Sequence, residues 1–310
     1  MKRNYYLLGS ITILIILAGL FASIFLFKKA SSKAGYKAQI QTAKAQEKKP
    51  AQDNEAQLEK PEDTAPLKPT QAALANGKAI HVPILMYHHI GFAPATADST
   101  HRGLTVSPSE FEAQVSWLKS QGYVSVSLDA LSKHLRGDNS TTWPAKPMVF
   151  TFDDGYSDVF ENAVPVLQKY GYSGSFAIIT SFVGQTQGDN YYATWNAINS
   201  AKHSGMEIVC HTQNHFDGSN PKFDEKYIFD NLTGCQNDLQ NNVGSPLPYL
   251  VYPYGHFTPS YVSQALKVGF TMALTVREGS YINIEDLMHI PRVRVNPGEN
   301  MQRFSEKLNE

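Results

Sequence analysis

The sequence predicts an α/β fold, a distorted (β/α)7–8 barrel, over residues 80–310. Apolar runs typical of strands alternate there with segments of helical periodicity, seven or eight times over about 230 residues. The strand runs have few polar positions, as is usual for parallel strands that are buried on both faces. At this size and number of repeats, a closed barrel is favoured over an open, doubly wound sheet.

Eight segments are predicted to be strands, because each is an apolar run bounded by glycine, proline or polar turn residues. In chain order they are residues 81–88, YVSVSL, residues 148–154, SGSFAII, residues 206–212, residues 249–255, FTMALTV and residues 288–295. In barrels and open sheets of this class, functional side chains gather at the carboxyl ends of the strands.

Helical segments separate or follow these strands: SPSEFEAQVSWLKSQG, DALSKHLRG, ENAVPVLQKYG, TWNAINSAKHSG, EKYIFDNLTGCQNDLQNNVG, TPSYVSQALKVG and ENMQRFSEKLNE. The first has the strongest signal, since Ser107 can cap it, Pro108 suits its first position and Glu110 completes a capping box. Gly122 follows its end. In the third segment, Pro165 is expected to bend or restart the helix.

Residues 1–29 are predicted to be a transmembrane signal anchor. The stretch 5–27 has no charged side chain, and as a helix it would span about 35 Å, enough for a bilayer core. It is long for a signal peptide, so an uncleaved anchor is favoured and a cleaved signal is the alternative. Basic residues flank both sides, so they do not define the orientation.

Residues 30–79 are rich in Ala, Lys, Gln, Glu and Pro and are predicted to be a disordered linker. Anchor, linker and globular domain together predict a single-pass protein of the cell membrane with its domain outside the cell. Secretion after signal cleavage is the alternative, and a monomer is expected in either case.

Composition and charge argue against some functions. The formal net charge of −1 and the pI of about 6.8 argue against nucleic-acid binding, which usually needs a basic excess. Two cysteines, Cys210 and Cys235, are too few for a disulfide scaffold. They could form one bridge in an exported protein, but a buried free thiol at Cys210 is slightly favoured.

Carboxylate and imidazole side chains follow the predicted strands, where a metal could gather them. These residues, with the tyrosines and basic residues at the same strand ends, are His88, His89, Asp153, Asp154, His211, His215, Tyr252, Tyr254, His289, Arg292 and Arg294. His211 and His215 are four apart, which on a helical turn places both imidazoles on one face. Alone, such a pair is more often two solvated histidines.

A third ligand changes that balance, because a catalytic zinc takes about three protein ligands and keeps one position open. Asp153 and Asp154 supply candidates: one could bind the metal while the other moves a proton. By itself, Asp-Asp-Gly is also good turn chemistry.

TFDDG at 151–155 and HTQNH at 211–215 resemble the first two motifs of the NodB-homology, carbohydrate esterase family 4 polysaccharide deacetylases. The resemblance covers about residues 81–295. It implies a distorted (β/α) barrel and one divalent metal, most often zinc, with cobalt, nickel or manganese as alternatives. It implies Asp153 as general base and Asp154, His211 and His215 as metal ligands. The implied reaction removes N-acetyl groups from N-acetylglucosamine polymers, or O-acetyl groups from xylan.

The third motif of the family is R-P-P-[Y/F]-G, and here VYPYG at 251–255 has Val251 in place of the arginine. IPRVRV offers Arg292 or Arg294 instead, which resembles the subgroup acting on poly-β-1,6-N-acetylglucosamine. That subgroup implies His88 as general acid, whereas the LMH sequence leaves His289 as the alternative. Arg292 is expected to orient Asp153.

The backbone N–H of Tyr254 is expected at the oxyanion, and Tyr252 and Tyr254 are candidate substrate-binding residues. Other aromatic residues near the predicted strand ends are individually more consistent with packing. Peptidoglycan is the alternative polymer.

Three other classes remain for comparison: a glycosidase, a non-catalytic polysaccharide-binding protein and an adhesin. A glycosidase needs two carboxylates about 5–9 Å apart on either side of a glycosidic bond, which adjacent aspartates supply poorly. Binding without turnover would favour the second class. The third leaves the polar strand ends unexplained.

Overall fold

A computed structural model describes residues 77–138, 140, 142–244 and 246–310. The predicted anchor over residues 1–29, and the predicted linker up to residue 76, lie outside the described residues. Among the helices that are described, none is long and apolar enough to cross a membrane.

Seven parallel strands close into a barrel, which confirms the predicted α/β class and barrel architecture. In order around the ring they are β2 (Ile84–Tyr87), β14 (Ile290–Arg294), β12 (Met272–Glu278), β11 (Tyr249–Val251), β10 (Glu207–Cys210), β7 (Ser175–Ile178) and β6 (Pro147–Phe152). Pairing of β2 with β6 closes the ring. The strand β5 (Val124–Ser125) pairs only with the start of β6.

Six short strands form pairs outside the barrel. They are β1 (Ala79–His81) with β13 (Tyr281–Asn283), β3 (His89–Ile90) with β4 (Thr105–Val106), and β8 (Thr186–Gln187) with β9 (Asn190–Tyr191). The helices are α1 (Ser99–Leu104), α2 (Pro108–Ser120), α3 (Leu128–Leu135), α4 (Ser157–Tyr170), α5 (Trp195–His203), α6 (Glu225–Val243), α7 (Pro259–Val268) and α8 (Met301–Lys307).

Side chains alternate between the two faces of each barrel strand, so the hydrophobic core has two parts. One cluster holds Ile84, Val149, Val209 and Ile290, with equivalent residues of the other barrel strands. Their sequence neighbours, such as Phe150 of β6, belong to the second cluster, with the apolar faces of the outer helices. Because side chains two apart share a face of a strand, the face that bears Val149 also bears Thr151 and Asp153. The face that bears Ile290 also bears Arg292.

Several local predictions are confirmed and others are wrong. Ser107 and Glu110 form the expected capping box at the start of α2. The segment YVSVSL forms only the two-residue β5, because Ser127 already caps α3. The helix α4 runs through Pro165 without restarting. The helix α1 and the β8–β9 hairpin were not predicted, since neither has a periodic apolar pattern.

Candidate active site

An ion pair lies inside the barrel at the end of β6. Asp153 and Arg292 are buried, with 2% and 0% of their surfaces exposed. The guanidinium donates to both carboxylate oxygens, Nη1 to Oδ1 at 2.8 Å and Nη2 to Oδ2 at 2.8 Å. It also donates to Thr151 Oγ1 at 3.1 Å and to the Thr275 carbonyl at 2.8 Å. These bonds hold the carboxylate in one orientation.

The same pair keeps Asp153 ionised. Burial alone raises the pKa of Asp153, but the charge and hydrogen bonds of Arg292 outweigh burial, so that the pKa lies below its ordinary value. A carboxylate that is both ionised and oriented can accept a proton from water.

His88 lies beside this carboxylate. Its Nε2 is 3.9 Å from Asp153 Oδ2, and 16% of its side chain is exposed. Burial lowers the pKa of His88, while the carboxylates of Asp153 and Asp154 oppose that shift. The imidazole and the carboxylate could therefore face the same reacting group from different sides.

Asp154, His211 and His215 form a second cluster next to the ion pair. Asp154 Oδ1 is 3.2 Å from Nε2 of His211 and 3.3 Å from Nε2 of His215. The three ligand atoms lie within 4.8 Å of one another. Within the described part of the chain, no other set of His, Cys, Asp or Glu is grouped closely enough to hold a metal ion.

The donor set fits a divalent cation such as zinc. Asp154 Oδ1 is buried without a hydrogen-bond partner, an arrangement that is unfavourable unless a positive charge offsets it. His211 donates from Nδ1 to the Val251 carbonyl at 2.7 Å, which leaves its Nε2 as a lone-pair donor. Burial lowers the pKa of His215 to about 4, so its ring is neutral at neutral pH and can act as a ligand.

Unusual backbone geometry brings these ligands together. Four non-glycine residues of the described chain have positive φ, and all lie in the three motifs: Asp154 (73°), Thr212 (66°), His215 (57°) and Tyr254 (59°). Left-handed backbone is unfavourable for such residues and is concentrated at functional sites. Asp153 continues the inward face of β6, whereas the left-handed backbone redirects the Asp154 carboxylate towards the histidines.

HTQNH is therefore an irregular turn and not a helical one, so its two imidazoles converge by a different geometry from the helical spacing. Thr212 Oγ1 accepts from the His215 N–H at 3.0 Å. Asn231 of α6 accepts from the Gln213 N–H at 2.9 Å through Oδ1. These bonds hold the turn against α6 and fix the position of His215.

A disulfide joins the same two elements. Cys210, at the end of β10, is bonded to Cys235 in α6. The slightly favoured free thiol at Cys210 is therefore wrong. The spacing of the two cysteines gave no information about their pairing, because only the fold brings β10 and α6 together.

The two candidate tyrosines differ in exposure. Tyr254 is 54% exposed, and its ring centroid lies 4.6 Å from that of His215. Tyr252 is fully buried and packs against Phe257 and Tyr261. Only Tyr254 therefore offers a surface to a substrate.

The remaining candidate residues lie apart from the two clusters. His289 Nδ1 donates to Asp286 Oδ1 at 2.7 Å, and the ring packs on Phe257. His89 is paired with Asp158 at 2.9 Å. Arg294 lies near enough to His88 to lower its pKa but, among the described residues, has no ion pair with Asp153.

Some supporting residues were not predicted. Thr151 and Thr275 bind the Arg292 guanidinium, and Asn231 holds the HTQNH turn. The position of Thr151, two residues before Asp153 on one strand, was a usable signal. Thr275 and Asn231 act through contacts distant in sequence, which no local pattern reveals.

Comparison with known proteins identifies relatives. Residues 140–273 match the family model "Polysaccharide deacetylase". A Bacillus subtilis protein named "Putative polysaccharide deacetylase YxkH" is 30% identical over 298 residues, which cover 92% of this chain and 96% of that protein.

More distant relatives have more specific names. The poly-β-1,6-N-acetyl-D-glucosamine N-deacetylase of Escherichia coli K12 is 24% identical over 67% of this chain, a match that spans only 36% of that longer protein. The Staphylococcus aureus MRSA252 protein of the same name is 24% identical over 63% of this chain and 69% of its own.

Solved structures share the fold. Streptococcus pyogenes deacetylase PplD, in complex with acetate, has a TM-score of 0.66 and 23% identity, covering 74% of this chain and 99% of its own. IcaB from Ammonifex degensii has a TM-score of 0.63 and 24% identity, covering 74% and 95%.

Proposed function

The chain belongs to the polysaccharide deacetylase family and is an enzyme, and we propose that it removes N-acetyl groups from N-acetylglucosamine units of a cell-surface polysaccharide, releasing acetate. Poly-β-1,6-N-acetylglucosamine is the favoured polymer. One observation carries the proposal most directly. An oriented, ionised Asp153 lies next to a cluster of one carboxylate and two imidazoles whose atoms lie within 4.8 Å of one another.

The proposed cofactor is a divalent metal, with zinc preferred, held by Asp154, His211 and His215. When bound, such a cation acts as a Lewis acid that lowers the pKa of water and polarises a carbonyl group. The preference for zinc rests on the donor set, since two imidazoles and a carboxylate are typical zinc ligands.

The other side chains divide the proton transfers between them. Asp153 takes a proton from the attacking water, and Arg292 keeps that carboxylate ionised and oriented. His88 gives a proton to the amide nitrogen as the carbon–nitrogen bond breaks. The Tyr254 N–H donates to the negative oxygen that develops on the acetyl carbonyl. The products are acetate and a free sugar amine.

Two observations favour poly-β-1,6-N-acetylglucosamine as the substrate. Relatives over about two thirds of the chain carry that name. The second observation is the source of the guanidinium that binds Asp153. It comes from Arg292 of the last strand, while Val251 stands at the arginine position of the third motif. The resemblance to the subgroup acting on this polymer implies the same arrangement. Peptidoglycan is the alternative substrate, and a non-catalytic polysaccharide-binding protein is the alternative role.

The proposal includes a location. With residues 5–27 as an uncleaved anchor, the enzyme would be held in the cell membrane with its domain outside. If the signal is cleaved, the enzyme would instead be secreted. In either case its products would be cationic polymers at an anionic cell surface.

The test is acetate release by the full-length protein in detergent, after metal removal and return of zinc or cobalt. Substrates are β-1,6- and β-1,4-linked N-acetylglucosamine oligomers and peptidoglycan. We expect metal-dependent release that is strongest on the β-1,6 oligomer. Asp153→Asn, which binds metal but cannot accept the proton, should reduce release by about 10²–10⁴-fold. Polymer binding without acetate release from any substrate would favour the non-catalytic role.

A further inference from the structure

A pocket, which we call the flanking pocket, lies beside the proposed metal site. Its walls are the segment from Thr96 to Leu104 and the β8–β9 hairpin, and His89 and Tyr156 line it between them. Its volume is about 310 Å³, at the lower end of the range for ligand sites. Tyr156 lines the pocket and is two residues after Asp154, so the Cα atoms of these two residues lie within about 7 Å of each other.

The flanking pocket is built on well-connected elements. Tyr156 and Tyr192 form an antiparallel bridge, and the Ala193 N–H donates to the Gly155 carbonyl at 2.9 Å. These contacts tie the hairpin to the loop that carries Asp154. Thr96 Oγ1 donates to Asp189 Oδ2 at 2.7 Å and so joins the two walls.

Three stacked rings form one side of the flanking pocket. The His89 ring lies between those of His101 and Tyr156, with centroids 4.3 Å and 3.7 Å away. His89 Nδ1 is paired with Asp158 Oδ2 at 2.9 Å, which fixes the orientation of the middle ring. Flat rings with a few polar groups around them are a common lining for small-molecule sites.

Two carboxylates line the flanking pocket, beside hydroxyl, amide and imidazole groups. These carboxylates are Asp98 and Asp189, and among the described lining residues there is no lysine or arginine. Arg102, in the same wall segment, is not a lining residue and donates to the Ala97 carbonyl. Burial lowers the pKa of His101, which disfavours a positive charge on this ring. A cationic group with several N–H donors is the complement of this lining.

We propose that the flanking pocket binds a glucosamine unit through its free ammonium group, next to the N-acetylglucosamine unit that is being hydrolysed. This inference rests on the proposed function, because the ligand is a unit that the enzyme has already deacetylated. The enzyme then prefers partly deacetylated polymer and extends existing runs of glucosamine. The ring stack contacts the sugar ring, and the carboxylates bind its ammonium group.

The test compares two oligomers with the metal-loaded, full-length protein. One is a fully acetylated β-1,6-linked tetramer, and the other is the same tetramer with one glucosamine unit. For the wild type we expect kcat/KM to be about threefold higher on the second, as an exposed charge pair would give. In the double variant Asp98→Asn with Asp189→Asn, the ratio should fall to about one.

These substitutions remove charge while keeping the local structure. Asparagine caps helices as well as aspartate does, which preserves the start of α1 at Asp98. At position 189 it still accepts the bond from Thr96. Asp230→Asn, on the exposed face of α6, removes a carboxylate elsewhere and should leave the wild-type ratio unchanged. A wild-type ratio of one or less, or an equal ratio in the double variant, would overturn the proposal.

A binding measurement separates this proposal from the proposed function. A glucosamine trimer has no acetyl group, so its affinity can be measured by calorimetry whether or not acetate is ever released. We expect the double variant to bind it about threefold more weakly than the wild type and Asp230→Asn to bind it equally. Charge-dependent binding without acetate release would contradict the proposed function and support the pocket. Equal binding by all three proteins would contradict the pocket alone.

Discussion

The buried Arg292 guanidinium is paired with a carboxylate and forms hydrogen bonds to two further residues. It has no exposed surface, forms a bidentate pair with Asp153, and donates to Thr151 and Thr275. Removing one partner of a buried pair leaves an unpaired charge, and this is usually far more harmful than losing a surface salt bridge. The residue thus contributes to folding and, in the proposed mechanism, to the chemistry of Asp153.

Arg292→Lys is expected to keep the charge but lose the bidentate geometry. Without the bidentate pair, the Asp153 carboxylate is no longer held in one orientation. We expect kcat to fall by about 10²-fold while metal binding persists, since misplacement of a catalytic group is costly. Arg292→Ala should lower the free energy of unfolding by about 3–5 kcal/mol. Acetate release and urea unfolding measure the two effects. Arg294→Ala, two residues along the strand, is the matched control, and an equal loss in that variant would contradict the assignment.

The two candidate acids can be separated by substitution. His88 is 3.9 Å from Asp153, whereas His289 is bonded to Asp286 at 2.7 Å. We expect His88→Ala to lower kcat by about 10²–10⁴-fold, the usual contribution of a general acid, and His289→Ala to have little effect. Acetate release with zinc-loaded protein measures both. The opposite ranking would assign the acid to the LMH sequence.

At the residue scale, sequence motifs identified the members of the ion pair and of the proposed metal site, but they did not predict how these residues are arranged. The ligand set Asp154, His211 and His215 comes together as expected from the resemblance, although its cofactor and roles remain predictions. Tyr252, unlike Tyr254, is not a matching position of the third motif, and it is fully buried. Burial of that ring depends on its packing with Phe257 and Tyr261, which the motif does not specify.

At the element scale, α3 lies across the amino-terminal end of the barrel. Glu207, the first residue of β10, accepts from the N–H groups of Leu128 and Asp129 at 2.7 and 3.0 Å. It also accepts from Ser175 Oγ at 2.7 Å. A carboxylate from a neighbouring strand thus caps this helix in addition to its own Ser127.

Glu207→Ala should lower the free energy of unfolding by about 1–2 kcal/mol, because helix donors lose their partner. Burial raises the pKa of Glu207 above its ordinary value, despite its hydrogen bonds. A carboxyl group with a raised folded-state pKa contributes stability that is present below the unfolded pKa and is lost as pH rises through the folded one. Wild-type stability relative to Glu207→Gln should therefore decrease as pH rises from about 4.5.

Denaturant unfolding of both proteins over a series of pH values measures this difference. Other titrating groups are common to the two chains, so their contributions cancel. Parallel stability curves for wild type and Glu207→Gln would show that the ionisation of this carboxyl group is not linked to folding.

Helices and strands were predictable where periodicity or capping chemistry was strong, as in α2 with Ser107 and Glu110. The HTQNH turn was not. The i,i+4 spacing of its histidines suits a helix. Instead, Thr212 and Asn231 accept hydrogen bonds from backbone N–H groups of the turn and stabilise left-handed backbone. Tertiary contacts outweighed local preference there, as is usual at strained functional turns.

At the scale of the whole molecule, the proposed metal would link several elements. Asp154 follows β6, and His211 and His215 follow β10, so a bound cation bridges non-adjacent strands of the barrel. A ligand that binds only the folded state stabilises it by mass action, by about 2.7 kcal/mol at 100 times Kd.

Chelation is therefore expected to lower the midpoint of thermal unfolding, and zinc should restore it. Scanning calorimetry with EDTA and with added zinc measures the change. Asp154→Asn and His215→Ala should unfold at the same temperature with or without the metal. If zinc raised the unfolding midpoint of either variant by as much as it raises that of the wild type, the assigned ligands would be contradicted. Asp230→Asn is the control, and its unfolding midpoint should change with EDTA and zinc as much as that of the wild type.

The barrel class was predictable from the alternation of apolar strands and helices. The number of strands in the ring was not, because β5 has the sequence pattern of a barrel strand but pairs only with the start of β6. Closure itself is a non-local event in which β2 pairs with β14 on one side and β6 on the other.

That closure affects how the protein is made. Asp153 and Arg292 are 139 positions apart, and the ring is complete only when β14 has joined β2. Contacts so distant in sequence slow folding, because their ordering cost must be met before they form. A nascent chain that has not yet reached Arg292 holds the proposed general base without its partner and has unpaired strand edges. We infer that catalytic competence arises late in synthesis. Until the barrel has closed, the chain avoids aggregation only if chaperones bind it or if synthesis and folding are completed quickly.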